Sequence, residues 1–196
     1  RERVNTTQQQ ISTGKKSDLY SGLNNQAGNA ISLRNSVVRL ETYRQNIAEV
    51  RVRTKAMDEG LSNVAKLARE VSNNLIEQIP NANMPIHILR EEARLKLQAI
   101  QQTLNESIDG RRLFSGDAIT TDPYANAATL ATNVNAEISS ANPANTVLTN
   151  ISGFTPAQLG YAGALATAGA VTVRVDDNRD IDYTVRADDP ALRDIM

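Results

Sequence analysis

The chain has no cysteine and no tryptophan, and aromatic residues fill only 4% of its 196 positions. Without cysteine, disulfides, thiolate nucleophiles and Cys-ligated metals are excluded together. Few aromatics beside plentiful Ala, Asn, Gln, Ser and Thr leave the core to small aliphatic groups, which suits long helices packed side by side. No stretch approaches the roughly 20 apolar residues of a membrane-spanning helix, and no charged start followed by an apolar run reads as a secretion signal. Net charge is -1, from 21 basic and 22 acidic residues spread along the sequence. With no basic concentration, neither a nucleic acid nor an anionic membrane is expected as a partner.

What is present is helical periodicity. Residues 1 to about 13 read as a polar, Gln-rich helix ended by Gly14 in the manner of a glycine C-cap. A turn-rich connector, Lys15 to Asn24, follows. From about Leu23 to Ile76 there is no proline, and apolar residues recur at alternating steps of three and four: Leu33, Leu40, Tyr43, Ile47, Val50, Met57, Leu61, Val64, Ala68, Val71 and Leu75. Only Ser36 and Thr54 interrupt this heptad seam, which predicts one long helix over 23–77. Such a helix needs partners, because each large apolar side chain left wet forgoes roughly 1.5 to 3 kcal/mol. Ile79-Pro80-Asn81 breaks it, and Leu89, Ala93, Leu97, Ile100, Leu104 and Ile108 form a second stripe on a helix expected over 86–109. The pair should make an antiparallel helical hairpin that covers only part of the seam, leaving Leu33 to Val50 for something else.

Beyond Gly110 and Gly116, which bracket Arg111-Arg112-Leu113-Phe114-Ser115, composition shifts to Ala, Asn and Thr. This divides the chain into a helical rod, 1–116, a small tip domain, 117–186, and a returning C-terminal helix opening at 187–196. The fold class is mainly α with a small α+β insertion. Within the tip, Ala128 to Ile138 reads as weakly helical and Thr155 to Leu165 as holding a short helical turn. Val171-Thr172-Val173-Arg174-Val175 and Ile181-Asp182-Tyr183-Thr184-Val185 alternate as a β-hairpin around Asp177 and Asn178. The start at Arg1 and the stop at Met196 both read as cuts.

Signals for chemistry are sparse. His87 is the lone histidine, with no nucleophile or orienting acid beside it. Asp176, Asp177, Asp180 and Asp182 lack the spacing of a calcium loop and read as turn carboxylates. Lys15-Lys16 and Arg111-Arg112 read as solvated charge, although Arg111 and Arg112 stand at the rod-tip hinge, where neighbouring subunits could meet. Asn5, Asn105 and Asn150 head Asn-x-Ser/Thr sequences, meaningful only in a glycosylating host. No enzyme, cofactor or metal is expected.

Three segments carry a resemblance: Gln10 to Asn46, QISTGKKSDLYSGLNNQAGNAISLRNSVVRLETYRQN; Asn63 to Asn73, NVAKLAREVSN; and Ser107 to Asp117, SIDGRRLFSGD. In this order the chain resembles the flagellin family. Its Gly110, Arg111, Leu113, Phe114 and Gly116 turn is similar to that of the family's hook-filament junction branch, where filament flagellins tend to carry an Asn-Gly turn. The resemblance implies an exported, extracellular, non-catalytic subunit of the bacterial flagellum. Its partners would be flagellin, a second hook-associated protein and an export chaperone, with self-assembly into a ring through terminal regions absent from this chain. The alternatives are a filament flagellin and, from another class, a helical signalling or adaptor domain with a ligand-binding tip.

Overall fold

The computed structural model describes residues 2–15, 26–78 and 86–193. They are mainly helical, with two small two-stranded sheets. In order the elements are α1 (Glu2–Thr13), α2 (Ala27–Gln78), α3 (Ile86–Leu104), β1 (Ser107–Ile108), β2 (Arg111–Arg112), α4 (Ala127–Ile138), α5 (Ala144–Ser152), α6 (Pro156–Leu159), β3 (Thr172–Asp176), β4 (Arg179–Asp182) and α7 (Pro190–Arg193). The expected break at Pro80, most of the connector after Lys15, and Asp194 to Met196 lie outside the described residues.

Helix α2 runs 52 residues without interruption, about 78 Å at 1.5 Å per residue. Helix α1 ends as its glycine predicts: Gly14 has φ 66° and its N–H donates to the Gln10 carbonyl at 2.9 Å. By contrast α3 stops at Leu104, short of the expected 109, because a tight hairpin follows. Asp109 (φ 51°) and Gly110 (φ 74°) both adopt positive φ, the requirement of a two-residue type I′ turn, and Ser107 and Ile108 pair with Arg112 and Arg111 across it.

The chain forms two compact units, neither of which is the rod or tip expected from composition. One comprises residues 1–48 with 174–179, the other 49–173 with 180–196. The division fails at residue 117 because helices and tip share one core: Met57 and Val64 of α2, Ile100 and Leu104 of α3, Leu113 and Phe114 of the turn, and Tyr124, Leu130, Phe154 and Leu165 beyond it form a single buried cluster. In the first unit, the tip of the β3–β4 hairpin lies on α2. Asp177 Oδ1 accepts from Tyr43 Oη at 2.9 Å and pairs with Arg39 Nε at 3.0 Å, while Asn46 Nδ2 donates to the Arg174 carbonyl at 2.8 Å.

In the second unit α2 and α3 run antiparallel. Asn63 Nδ2 donates to Thr103 Oγ1 at 3.1 Å, Lys96 pairs with Glu70, and Asn74 Nδ2 donates to Glu92 Oε1 at 2.5 Å, so partners rise on one helix as they fall on the other. The Lys96 ammonium, bonded to Glu70, holds that carboxyl below the usual carboxylate range.

Candidate functional site

Two features are built rather than merely exposed: the edge of α2 and the turn after β2. Along α2 the seam residues divide. Met57 and Val64 are buried, Tyr43, Val50, Leu61, Ala68 and Val71 are half-buried, and Leu33 (68% exposed), Leu40 (61%), Ile47 (40%) and Leu75 are exposed. Val37 and Val38 add to the wet apolar surface of the N-terminal half. Of the segment expected to need a cover, only Tyr43 among the seam residues is bonded to the hairpin tip. Burial also reaches residues off the heptad, Arg53 and Gly60. A Cβ placed on Gly60 would come within 3.2 Å of the Phe114 ring, so the missing side chain lets that ring lie on the helix. A lone glycine inside a proline-free helical pattern was the available signal for this close approach.

The turn residues converge on the same core. Leu113 and Phe114 are buried, and the Phe114 carbonyl accepts from Ala187 N–H at 2.9 Å. Gly116 has φ 61°, and a Cβ there would stand 2.8 Å from the Gly169 carbonyl oxygen, so no other residue fits without strain. Gly110 supplies the second positive φ of the hairpin and faces open space. Arg112 pairs with Asp122 and donates to the Asn105 carbonyl, whereas Arg111 has no ion pair among the described residues.

Asn105, read from sequence only as a glycosylation acceptor, is instead a bracket. Its Oδ1 accepts from Tyr124 N–H at 2.9 Å and its Nδ2 donates to the Tyr124 carbonyl at 2.8 Å. This fixes the strand-like segment that carries Tyr124 into the core. There the Tyr124 and Tyr161 rings meet edge to face, 5.1 Å between centroids. Tyr124 Oη donates to the Leu159 carbonyl at 2.8 Å, while buried Tyr161 Oη has no partner. Burial pushes both phenols up, Tyr161 to about 12. Their different partners give a prediction measurable by urea denaturation. Tyr124→Phe should lose about 1 kcal/mol, and Tyr161→Phe should lose nothing or gain stability, because it removes an unpaired buried hydroxyl.

The remaining candidates do not assemble. His87 is exposed in the first turn of α3. Among the aspartates, Asp177 holds the hairpin on α2, Asp176 Oδ1 accepts from Asp177 N–H at 2.7 Å, and Asp182 Oδ1 accepts from Thr184 N–H at 2.9 Å. The Thr184 hydrogen bonds hold the Asp182 carboxyl low. No three metal-ligating side chains come together among the described residues, and no described helix is long and apolar enough to cross a membrane. Lys15 is exposed, and Lys16 lies outside the described residues. Compared with known proteins, the chain matches no family model, no curated protein and no solved structure.

Proposed function

We propose that this protein is a non-catalytic structural subunit of the bacterial flagellum, exported and placed at the junction between hook and filament. The observation that carries the reading is the uneven burial of one uninterrupted helix. Its C-terminal half seats Met57 and Val64 in a core, while its N-terminal half leaves Leu33, Val37 and Leu40 more than half exposed along an edge with heptad spacing. An apolar edge of that kind is made for other helices, since large contiguous apolar surface marks an interaction site. The order of the flagellin-like segments, and the Gly110 to Gly116 turn in particular, favours the junction over the filament itself. On this reading, flagellin and another hook-associated protein are the neighbours, a chaperone covers the edge before export, and the rod of helices carries the load.

The test is deletion of the gene in the bacterium that encodes it, followed by electron microscopy. Hooks without attached filaments, with flagellin shed into the medium, are the expected result. Normal filaments would refute the junction role, hooks and shed flagellin both absent would refute it as well, and a defect in signalling with intact flagella would favour the adaptor class.

A further inference from the structure

The turn after β2 closes one side of a small notch that the structural role above does not use. Arg53, Arg111 and Arg112 all line it, together with Tyr183, Thr184 and Met57. The notch has room for about one water-sized molecule, a free volume of about 10 Å³. Three guanidinium groups around so small a space repel one another unless anions answer them.

Two of the three are answered. Arg112 pairs with Asp122, and Arg53 donates from Nε to Glu49 Oε1 at 3.0 Å. Arg111 has no ion pair among the described residues, so one positive charge is left over. Arg53 is also incompletely satisfied. It is only 3% exposed, yet its two terminal nitrogens have no acceptor among the described residues. Those nitrogens are absent from the sealed, unpaired buried atoms, which are Ser115 Oγ, Tyr161 Oη and Arg193 Nε, so they open to the notch. A buried guanidinium whose outer fork faces an unfilled space is matched by a planar group with two acceptor oxygens.

We propose that the notch is a binding site for a single carboxylate group, gripped by the outer fork of Arg53 and by Arg111. The leftover single positive charge selects a monoanion over a phosphate dianion. The small free volume admits the head of a carboxylate and excludes a bulky anion. The carboxylate can belong to a small free acid or to an Asp or Glu of a second copy of this chain.

Arginine-side-chain NMR on the purified chain tests this, with sodium acetate as probe and sodium chloride replacing it at constant ionic strength. Acetate should shift the Arg53 Nε–Hε resonance saturably, chloride should not, and phosphate should do so more weakly. Arg111→Gln should weaken acetate roughly tenfold or more, the loss of one charge-assisted contact, with circular dichroism unchanged. Arg53→Lys, which keeps the charge and loses the fork, should weaken it as well. If the same Arg53 resonance moves with protein concentration and acetate reverses the movement, the carboxylate comes from a second copy; if it moves only with acetate, the source is a free acid. Equal shifts from chloride or phosphate, or no shift from acetate or from protein concentration, would overturn the proposal.

Discussion

Replacing Val64 with aspartate should abolish cooperative folding of the second unit, whereas the same replacement at Leu40 should leave it intact. Both residues lie on the heptad edge of α2, so helix propensity and sequence pattern treat them alike. Their surroundings do not: Val64 is 1% exposed in the core with Ile100 and Leu104, and Leu40 is 61% exposed. A carboxylate forced into the Val64 position finds no cation among its core neighbours and costs roughly 4 kcal/mol or more, a large part of a typical domain's stability. At Leu40 the carboxylate stays in water, and the change should stay within about 0.5 kcal/mol. Urea denaturation followed by circular dichroism measures both. Comparable losses at the two sites would mean that α2 is buried evenly, which would undo the distinction between its halves.

Raising the pH from 10 to 12 should unfold the second unit with tyrosinate forming in the same step. Tyr124 and Tyr161 are both buried, and burial disfavours their charged form, so their folded values lie above the ordinary value of 10. A folded value above the unfolded one means that the native state holds the proton more tightly. The stabilisation is then complete below pH 10 and disappears as pH rises toward the folded value, about 12 for Tyr161. Each tenfold gain in proton affinity is worth about 1.4 kcal/mol, so Tyr161 alone contributes roughly 3 kcal/mol to this loss. Tyr124 acts in the same sense. In Tyr161→Phe, which cannot ionise there, the alkaline midpoint should move upward. Tyrosinate of these two residues appearing while helicity is retained would contradict their burial.

Which parts of this architecture were legible depends on how far apart the determining residues lie. Long helices announce themselves locally: proline is absent through α2, apolar spacing is regular, and Gly14 closes α1 with a single residue. The Asp109-Gly110 pair was also a local signal, a type I′ dipeptide between Ile108 and Arg111, and the apolar stripe that continues to Ile108 outweighed it. Helix α5 sends no such signal, because it has no buried side chain to impose a stripe. Domain division fails for a different reason. Composition reports mostly on surface, and the Ala-, Asn- and Thr-rich stretch after Gly116 is polar outside while Tyr124, Phe154 and Leu165 complete a core begun by α2 and α3.

The candidate site was legible in its residue types and not in its wiring. Arg111 and Arg112 could be singled out as a pair, but nothing in the sequence joins them to Arg53, more than fifty positions earlier. The contact of Asp177 with Arg39 and Tyr43 is likewise long-range, and no periodicity points to it. Asn105 illustrates the converse: a short motif suggested an exposed acceptor, and the fold uses both ends of its amide to hold Tyr124.

The most direct measurement of the structural account is Leu40→Asp, made in the encoding gene and carried into the deletion strain. The account predicts that the purified variant keeps its helicity and its urea midpoint while hooks remain bare of filaments, because the change touches only the apolar edge by which the subunit joins its neighbours. Filaments restored to the level given by the unsubstituted gene would contradict it, since an edge that tolerates a charge is not an assembly surface.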